Sequence, residues 1–143
     1  MTGAQVEAKL EKALAGLPGC RGMNNHMGSA ATEDPALMAG VCRFLRDRGL
    51  FFIDSKTSPR SVGESQAKKA GLPSAHRDVF LDNSEDPGSI LIQLDRAVVL
   101  ARKRGTAVAI GHFRLPSLRV LEEAVPKLRD KGVHFVLASE VVR

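Results

Sequence analysis

A chain of 143 residues, 43% apolar and 26% charged, with a formal charge of +5, is sized for one domain with a real core, burying about 70% of its unfolded surface. No stretch approaches the ~20 apolar residues of a membrane-crossing helix. Met1 to Leu17 is charged and amphipathic, without the apolar stretch of a secretory leader, so a start at Met1 predicts a cytosolic chain.

The positive charge does not point to nucleic acid. Arg43, Arg46 and Arg48, then Lys68 and Lys69, then Arg102, Lys103 and Arg104 fall near the ends of predicted helices, where cations complement the helix dipole. With no Trp or Tyr, a platform for stacking bases would rest on Phe and Arg alone.

Residues 5–16 read as a helix with Val6, Leu10, Ala13, Leu14 and Leu17 on one face. Residues 20–24 form a short strand leading into Asn24-Asn25-His26-Met27-Gly28-Ser29. Cys20 and Cys42 fit no zinc or redox spacing and read as small buried hydrophobes. Asp34-Pro35 is a helix cap followed by proline at the first helical position. That second helix turns Leu37, Met38, Val41, Phe44 and Leu45 inward and stops at Gly49. Residues 50–53 are a continuous apolar strand, as for burial on both faces, ending in Asp54.

Ser61-Val62-Gly63-Glu64 predicts a capping box for a short helix ending at Gly71. Residues 79–81 are a strand ending in Asp82. Asp86-Pro87 opens a long helix carrying Ile90, Leu91, Leu94, Ala97, Val98 and Ala101, stopped by Gly105. Residues 107–110 are a strand ending in Gly111-His112. A helix over 116–131 contains Pro126, which is expected to kink it. Gly132 closes it, and 135–138 are the last strand. The alternation predicts an α/β fold: a mostly parallel sheet of about five strands, with flanking helices and right-handed crossovers.

In a parallel sheet, residues just past the strand ends gather at one rim, where sites are built. His26, Asp54, Asp82 and His112 occupy such positions. His26, beside Asn24, Asn25 and Ser29, reads as a metal ligand or a hydrogen-bonded loop residue, with Gly28 allowing a tight turn. Asp54 reads as a base or orienting carboxylate, or as an anchor for the backbone of Ser55 or Thr57. Asp82 and Asn83 invite the same pair of readings, with a turn role open for Asn83. His112 suits general acid–base work, against the alternative of a satisfied core histidine. His76 and His134 read as structural or solvated.

Four motifs in order, Gly22-Met23-Asn24-Asn25-His26-Met27-Gly28-Ser29, Phe51-Phe52-Ile53-Asp54-Ser55-Lys56-Thr57, Arg77-Asp78-Val79-Phe80-Leu81-Asp82-Asn83 and Ala109-Ile110-Gly111-His112, resemble the divergent polysaccharide deacetylase family over about 17–139. The resemblance implies a distorted (β/α) barrel with fewer than eight strands. It also implies removal of acetyl groups from a polysaccharide with a divalent metal, often zinc, a carboxylate as base and a histidine as acid. Carried over by position, it implies His112 and Asp54 as catalytic residues and His26 as a metal ligand. Asn24, Asn25, Ser29 and Asp82 would contact substrate.

Two segments of the family pattern, a strand ending in paired aspartates and a second histidine-bearing strand, are expected before Met1. Residues 1–143 therefore read as a single partial barrel domain, the family's C-terminal portion. Phe113 stands where the family has proline. One histidine and one carboxylate fall short of the three protein ligands of catalytic zinc, so a non-catalytic carbohydrate-binding or interaction fragment of the same fold is the alternative. The expected partner is a polysaccharide or acetylated sugar. Strand edges near Cys20 and Phe135 further predict a homo-oligomer or cover by a missing N-terminal segment. The resemblance implies a periplasmic or cell-envelope setting, although this chain carries no export signal.

Overall fold

Short parallel strands alternating with amphipathic helices make up this protein, in a computed structural model that describes residues 3–143. The order is α1 (Gly3–Ala15), β1 (Gly22–Asn24), α2 (Ser29–Thr32), α3 (Pro35–Arg46), β2 (Phe51–Asp54), α4 (Gly63–Lys69), β3 (Ser74–His76), β4 (Val79–Phe80), α5 (Pro87–Arg104), β5 (Ala109–Ile110), α6 (Leu115–Asp130) and a 3-10 turn (Ala138–Glu140). The described residues pack as two units. The first runs to His76 and includes Val142 and Arg143; the second is Arg77–Val141. The α/β class and the parallel pairing are as the sequence predicts, with five strands divided between two sheets. No helix among the described residues is long and apolar enough to cross a membrane.

In the first unit the sheet order is β1-β2-β3, all parallel. Met23 lies opposite Phe52, and Asp54 lies opposite His76. Ser74 and Arg143 exchange backbone hydrogen bonds of 2.9 and 3.1 Å. The core holds Met38, Cys42, Phe44, Leu45, Leu50, Phe52, Ala67 and Leu72. α3 starts where the sequence sets it: Asp34 accepts from the backbone N–H of Ala36 and Leu37 at 2.9 and 3.1 Å, and Pro35 follows. The buried Cys42 thiol is pushed up to about 11 by desolvation, then by the nearby Asp54 charge.

In the second unit β4 and β5 pair in parallel, Phe80 opposite Ile110. Val79, Leu81, Ile90, Leu94, Ala97 and Ala124 form its core. Asp86 caps α5 by accepting from Ser89 N–H at 2.7 Å. The four glycines read as helix stops, Gly49, Gly71, Gly105 and Gly132, have φ of 66°, 67°, 87° and 78°. A side chain with a Cβ adopts that left-handed conformation only at a cost.

Several expectations are corrected. Ser74–His76 forms a strand that no residue pattern announces. Residues 135–138 form no strand, and Phe135, Val136 and Leu137 are exposed, leading into the 3-10 turn. An apolar run becomes a strand only with a neighbour to bond, and these residues have none among those described. Ser29–Thr32, within a predicted loop, is one turn of helix. α1 packs Leu10 and Leu14 on the core, but none of its residues is fully buried and Leu17 is exposed.

The capping box at Ser61 does not form either: the cap position of α4 is Val62, without a side-chain bond. Asp54 Oδ2 instead accepts the Glu64 N–H at 3.2 Å, the donor a capping Ser61 would have bound, because a charged acceptor outcompetes a hydroxyl. Ser61 Oγ donates to the same oxygen at 2.7 Å and accepts from Gly63 N–H at 3.3 Å.

Candidate functional site

Two clusters of polar side chains lie at the C-terminal ends of parallel strands, one in each unit. In the second unit the pairing of Phe80 with Ile110 brings the residues two positions beyond, Asp82 and His112, side by side. Asp82 Oδ1 lies 3.1 Å from His112 Nδ1, and Oδ2 accepts from the His112 backbone N–H at 2.8 Å and from Ser117 Oγ at 2.8 Å. The Asp82 side chain is 0% exposed and that of His112 is 32% exposed. Burial pushes the Asp82 carboxyl up. The bonds from Ser117, the His112 backbone and the His112 ring outweigh it and hold the carboxyl below its ordinary range.

A carboxylate on Nδ1 fixes the tautomer that carries its proton there and turns Nε2 into the atom for proton exchange. The Phe80 ring stands edge-on to His112, with centroids 5.3 Å apart. A Cβ at Gly111 would lie in contact with Asp82 Oδ1 and Leu81 Cβ, each at 3.4 Å.

In the first unit the loops after β1 and β2 are bonded together. Asn24 Nδ2 donates to Ser55 Oγ at 3.1 Å, and Ser55 N–H donates to Asn25 Oδ1 at 2.8 Å. Asn25 Nδ2 donates to Met27 O at 3.1 Å and to Thr57 Oγ1 at 3.4 Å. Thr57 Oγ1 donates to Met27 O at 3.3 Å, and Ser29 Oγ to Thr57 O at 3.3 Å. His26 and Asn24 are exposed, while Asn25 and Ser29 are half-buried. Among the described residues, Met27 (φ 57°) and Lys56 (φ 46°) are the non-glycine ones in the left-handed region, each at a cost of about 1–3 kcal/mol.

Asp54 is fully buried. Its Oδ1 accepts from Lys56 N–H at 2.8 Å; its Oδ2 accepts from Ser61 Oγ and from Glu64 N–H, at 2.7 and 3.2 Å. That carboxylate ties the loop after β2 to the first turn of α4. Gly63 is what lets it sit there, since a Cβ would meet Asp54 Oδ2 at 2.8 Å. On the same unit, Glu64 pairs with Lys68 Nζ at 2.8 Å and His76 Nδ1 at 2.7 Å. Burial pushes the Glu64 carboxyl up, but the Lys68 hydrogen bond and the His76 and Lys68 charges bring it below its ordinary range.

The residues present do not fit a catalytic zinc site. Among the described residues no three of His, Cys, Asp and Glu gather as metal ligands. The oxygens of Asp54 and Asp82 already accept three donors each, while such a site takes three protein ligands.

The motifs that run through both clusters match a known family model, that of the divergent polysaccharide deacetylases, over residues 1–142. The chain belongs to the divergent polysaccharide deacetylase family. This family member is 41% identical over 130 residues to an uncharacterized protein of Haemophilus influenzae, covering 91% of this chain and 46% of that protein. It is 36% identical over 146 residues to the uncharacterized protein YibQ of Escherichia coli, covering 99% and 44% respectively. The crystal structure of an uncharacterized Agrobacterium tumefaciens protein superposes with a TM-score of 0.96 at 25% identity, over 99% of this chain and 58% of that one. The chain thus spans less than half the length of the curated relatives it matches.

Within this deacetylase-family chain, sequence reasoning singled out both members of the His112–Asp82 pair without joining them. It missed Ser117, whose signal is its place early in the helix that follows His112. It also missed Thr57, which bonds the loop after β1, Ser61 as a partner of Asp54, and the Glu64–His76 pair, which joins α4 to β3.

Proposed function

We propose that this chain carries the acid–base part of a carbohydrate-directed hydrolase domain that removes acetyl groups. His112 is the general acid, and Asp82 and Ser117 hold it. The observation that carries this reading is the buried carboxylate that binds both the ring and the backbone of a partly exposed histidine. In the reaction, water adds to the acetyl carbonyl carbon, the imidazolium gives its Nε2 proton to the sugar nitrogen or oxygen as the bond to that carbon breaks, and the acetic acid released returns a proton to the imidazole. Asp82 stabilises the imidazolium and keeps the ring aimed. Asp54, with its oxygens engaged by its own loop, acts as a positioning residue for the loop after β2. Within the first unit, Asn24 and His26 are the exposed polar residues offered to a saccharide.

A divalent metal, zinc by family, supplies Lewis acidity and an activated water where such a site is complete. His26 would give it one imidazole. Among the described residues no full set of ligands gathers around it.

The engagement of Asp54 by three local donors favours a second reading, a non-catalytic carbohydrate-binding module. Acetate release and binding, measured together on N-acetylated chito-oligomers and O-acetylated xylo-oligomers with and without added zinc, separate the two. Release that His112→Asn abolishes supports the hydrolase. Binding without release supports the module, and neither binding nor release removes both.

A further inference from the structure

We infer that Met27 is the side chain with which the first unit grips an acetylated saccharide, its thioether packing on the acetyl methyl or the C–H face of the sugar ring. This rests on the carbohydrate reading above and names the contact that reading leaves open. A single exposed apolar residue is ordinary; the place of this one is not.

Met27 has φ 57° and is followed by Gly28 at 76°. Consecutive left-handed residues are a turn for which Asn, Asp or Gly are the cheap choices, and a thioether adds nothing to such a turn. Lys56, the other non-glycine residue at positive φ, has a local reason: its N–H meets the buried Asp54 carboxylate at 2.8 Å. Met27 has a held backbone and an exposed side chain. Its carbonyl accepts from Asn25 Nδ2 and Thr57 Oγ1, at 3.1 and 3.3 Å. Asn25 is itself fixed by Ser55 N–H at 2.8 Å, and Ser29 Oγ bonds Thr57 O at 3.3 Å.

Asn25, Ser29 and Thr57 thus brace the loop, while the side chain they brace is 69% exposed just beyond the C-terminal ends of β1 and β2. Ligands of open parallel sheets bind at that end. A held backbone carrying a flexible, polarisable side chain is a suitable contact for an irregular apolar patch. Asn25 and Ser29 are accordingly supports, and Met27 makes the contact.

The test uses the full chain, Met27→Gly and Met27→Gln, titrated with N-acetylated chito-oligomers and O-acetylated xylo-oligomers, with an unfolding midpoint for each protein. Glycine relieves the left-handed conformation, so Met27→Gly is expected to raise the midpoint and weaken binding at least tenfold. Met27→Gln, of equal length but polar, is expected to weaken it at least threefold. A parent that binds while Met27→Gly binds within twofold of it overturns the inference and leaves the carbohydrate reading standing. If Met27→Gly is less stable than the parent, the folded Gln variant decides, and parental affinity in it is equally fatal. A parent that binds none of the oligomers overturns the carbohydrate reading, and this inference with it.

Discussion

One carboxylate, that of Asp82, holds both the ring and the main chain of His112: Oδ1 lies 3.1 Å from Nδ1, and Oδ2 accepts the backbone N–H at 2.8 Å. Replacing it therefore loosens the histidine as well as removing a charge. Asp82→Asn is expected to cost about 1–3 kcal/mol of stability by leaving buried donors unsatisfied. It should also slow acetate release at least about tenfold. His112→Asn removes the acid outright and should cost about 10²–10⁴-fold in rate. Chemical denaturation and an acetate assay on the same preparations check both.

The low Asp82 carboxyl sets a pH dependence. A group whose folded-state pKa lies below its unfolded value adds stability above the unfolded pKa, near 3.9, and loses it as pH falls through the folded pKa. The chain is thus expected to lose stability on acidification below about pH 4, and Asp82→Asn to show a shallower acid limb. Urea midpoints from pH 2 to 6 test this, and parallel limbs for the two proteins contradict it.

Two glycines separate tolerance from intolerance. A Cβ at Gly63 would meet Asp54 Oδ2 at 2.8 Å and Phe52 Cε1 at 3.0 Å, whereas one at Gly111 meets nothing closer than 3.4 Å. Gly63→Ala is expected to destabilise by about 1–3 kcal/mol through overpacking, and Gly111→Ala by less than that. The reverse order in urea unfolding would show that Asp54 is not wedged where its bonds put it.

The two cysteines should react at different rates. Cys42 is fully buried, with its thiol raised to about 11, while Cys20 is only half-buried. Since the thiolate is the nucleophile, a disulfide reagent at pH 8 should label Cys20 first and reach Cys42 on opening of the fold. Mass mapping of the labelled peptides reads the order.

Much of the scaffold was legible in the sequence, because its punctuation is local. Asp34-Pro35 and Asp86-Pro87 start helices by bonds within three residues, and Gly49, Gly71, Gly105 and Gly132 end them through a conformation open mainly to glycine. What depends on a neighbour was not legible. Ser74, Ala75 and His76 carry no strand pattern and are a strand only through pairing with Phe52, Ile53 and Asp54. Phe135 and Val136 carry one and have no pairing strand among the described residues. Ser61 and Glu64 spelled a capping box, but the carboxylate of Asp54, delivered there by the end of β2, took the Ser61 hydroxyl and the Glu64 N–H.

The site divides along the same line. Asp82 and His112 were each visible as polar residues at strand ends. Their union depends on β4 lying beside β5, which no single strand declares. Ser117 was hidden because a serine early in a helix has many uses, of which bonding a buried carboxylate is one.

The proton on the His112 ring tests the account most directly. Long-range ¹H–¹⁵N NMR of the full chain, at a pH where the ring is neutral, reports which nitrogen is protonated. The account predicts a proton on Nδ1, facing Asp82, and a shift of the balance toward Nε2 in Asp82→Asn. A neutral His112 protonated on Nε2, or a tautomer balance indifferent to Asp82→Asn, would contradict it.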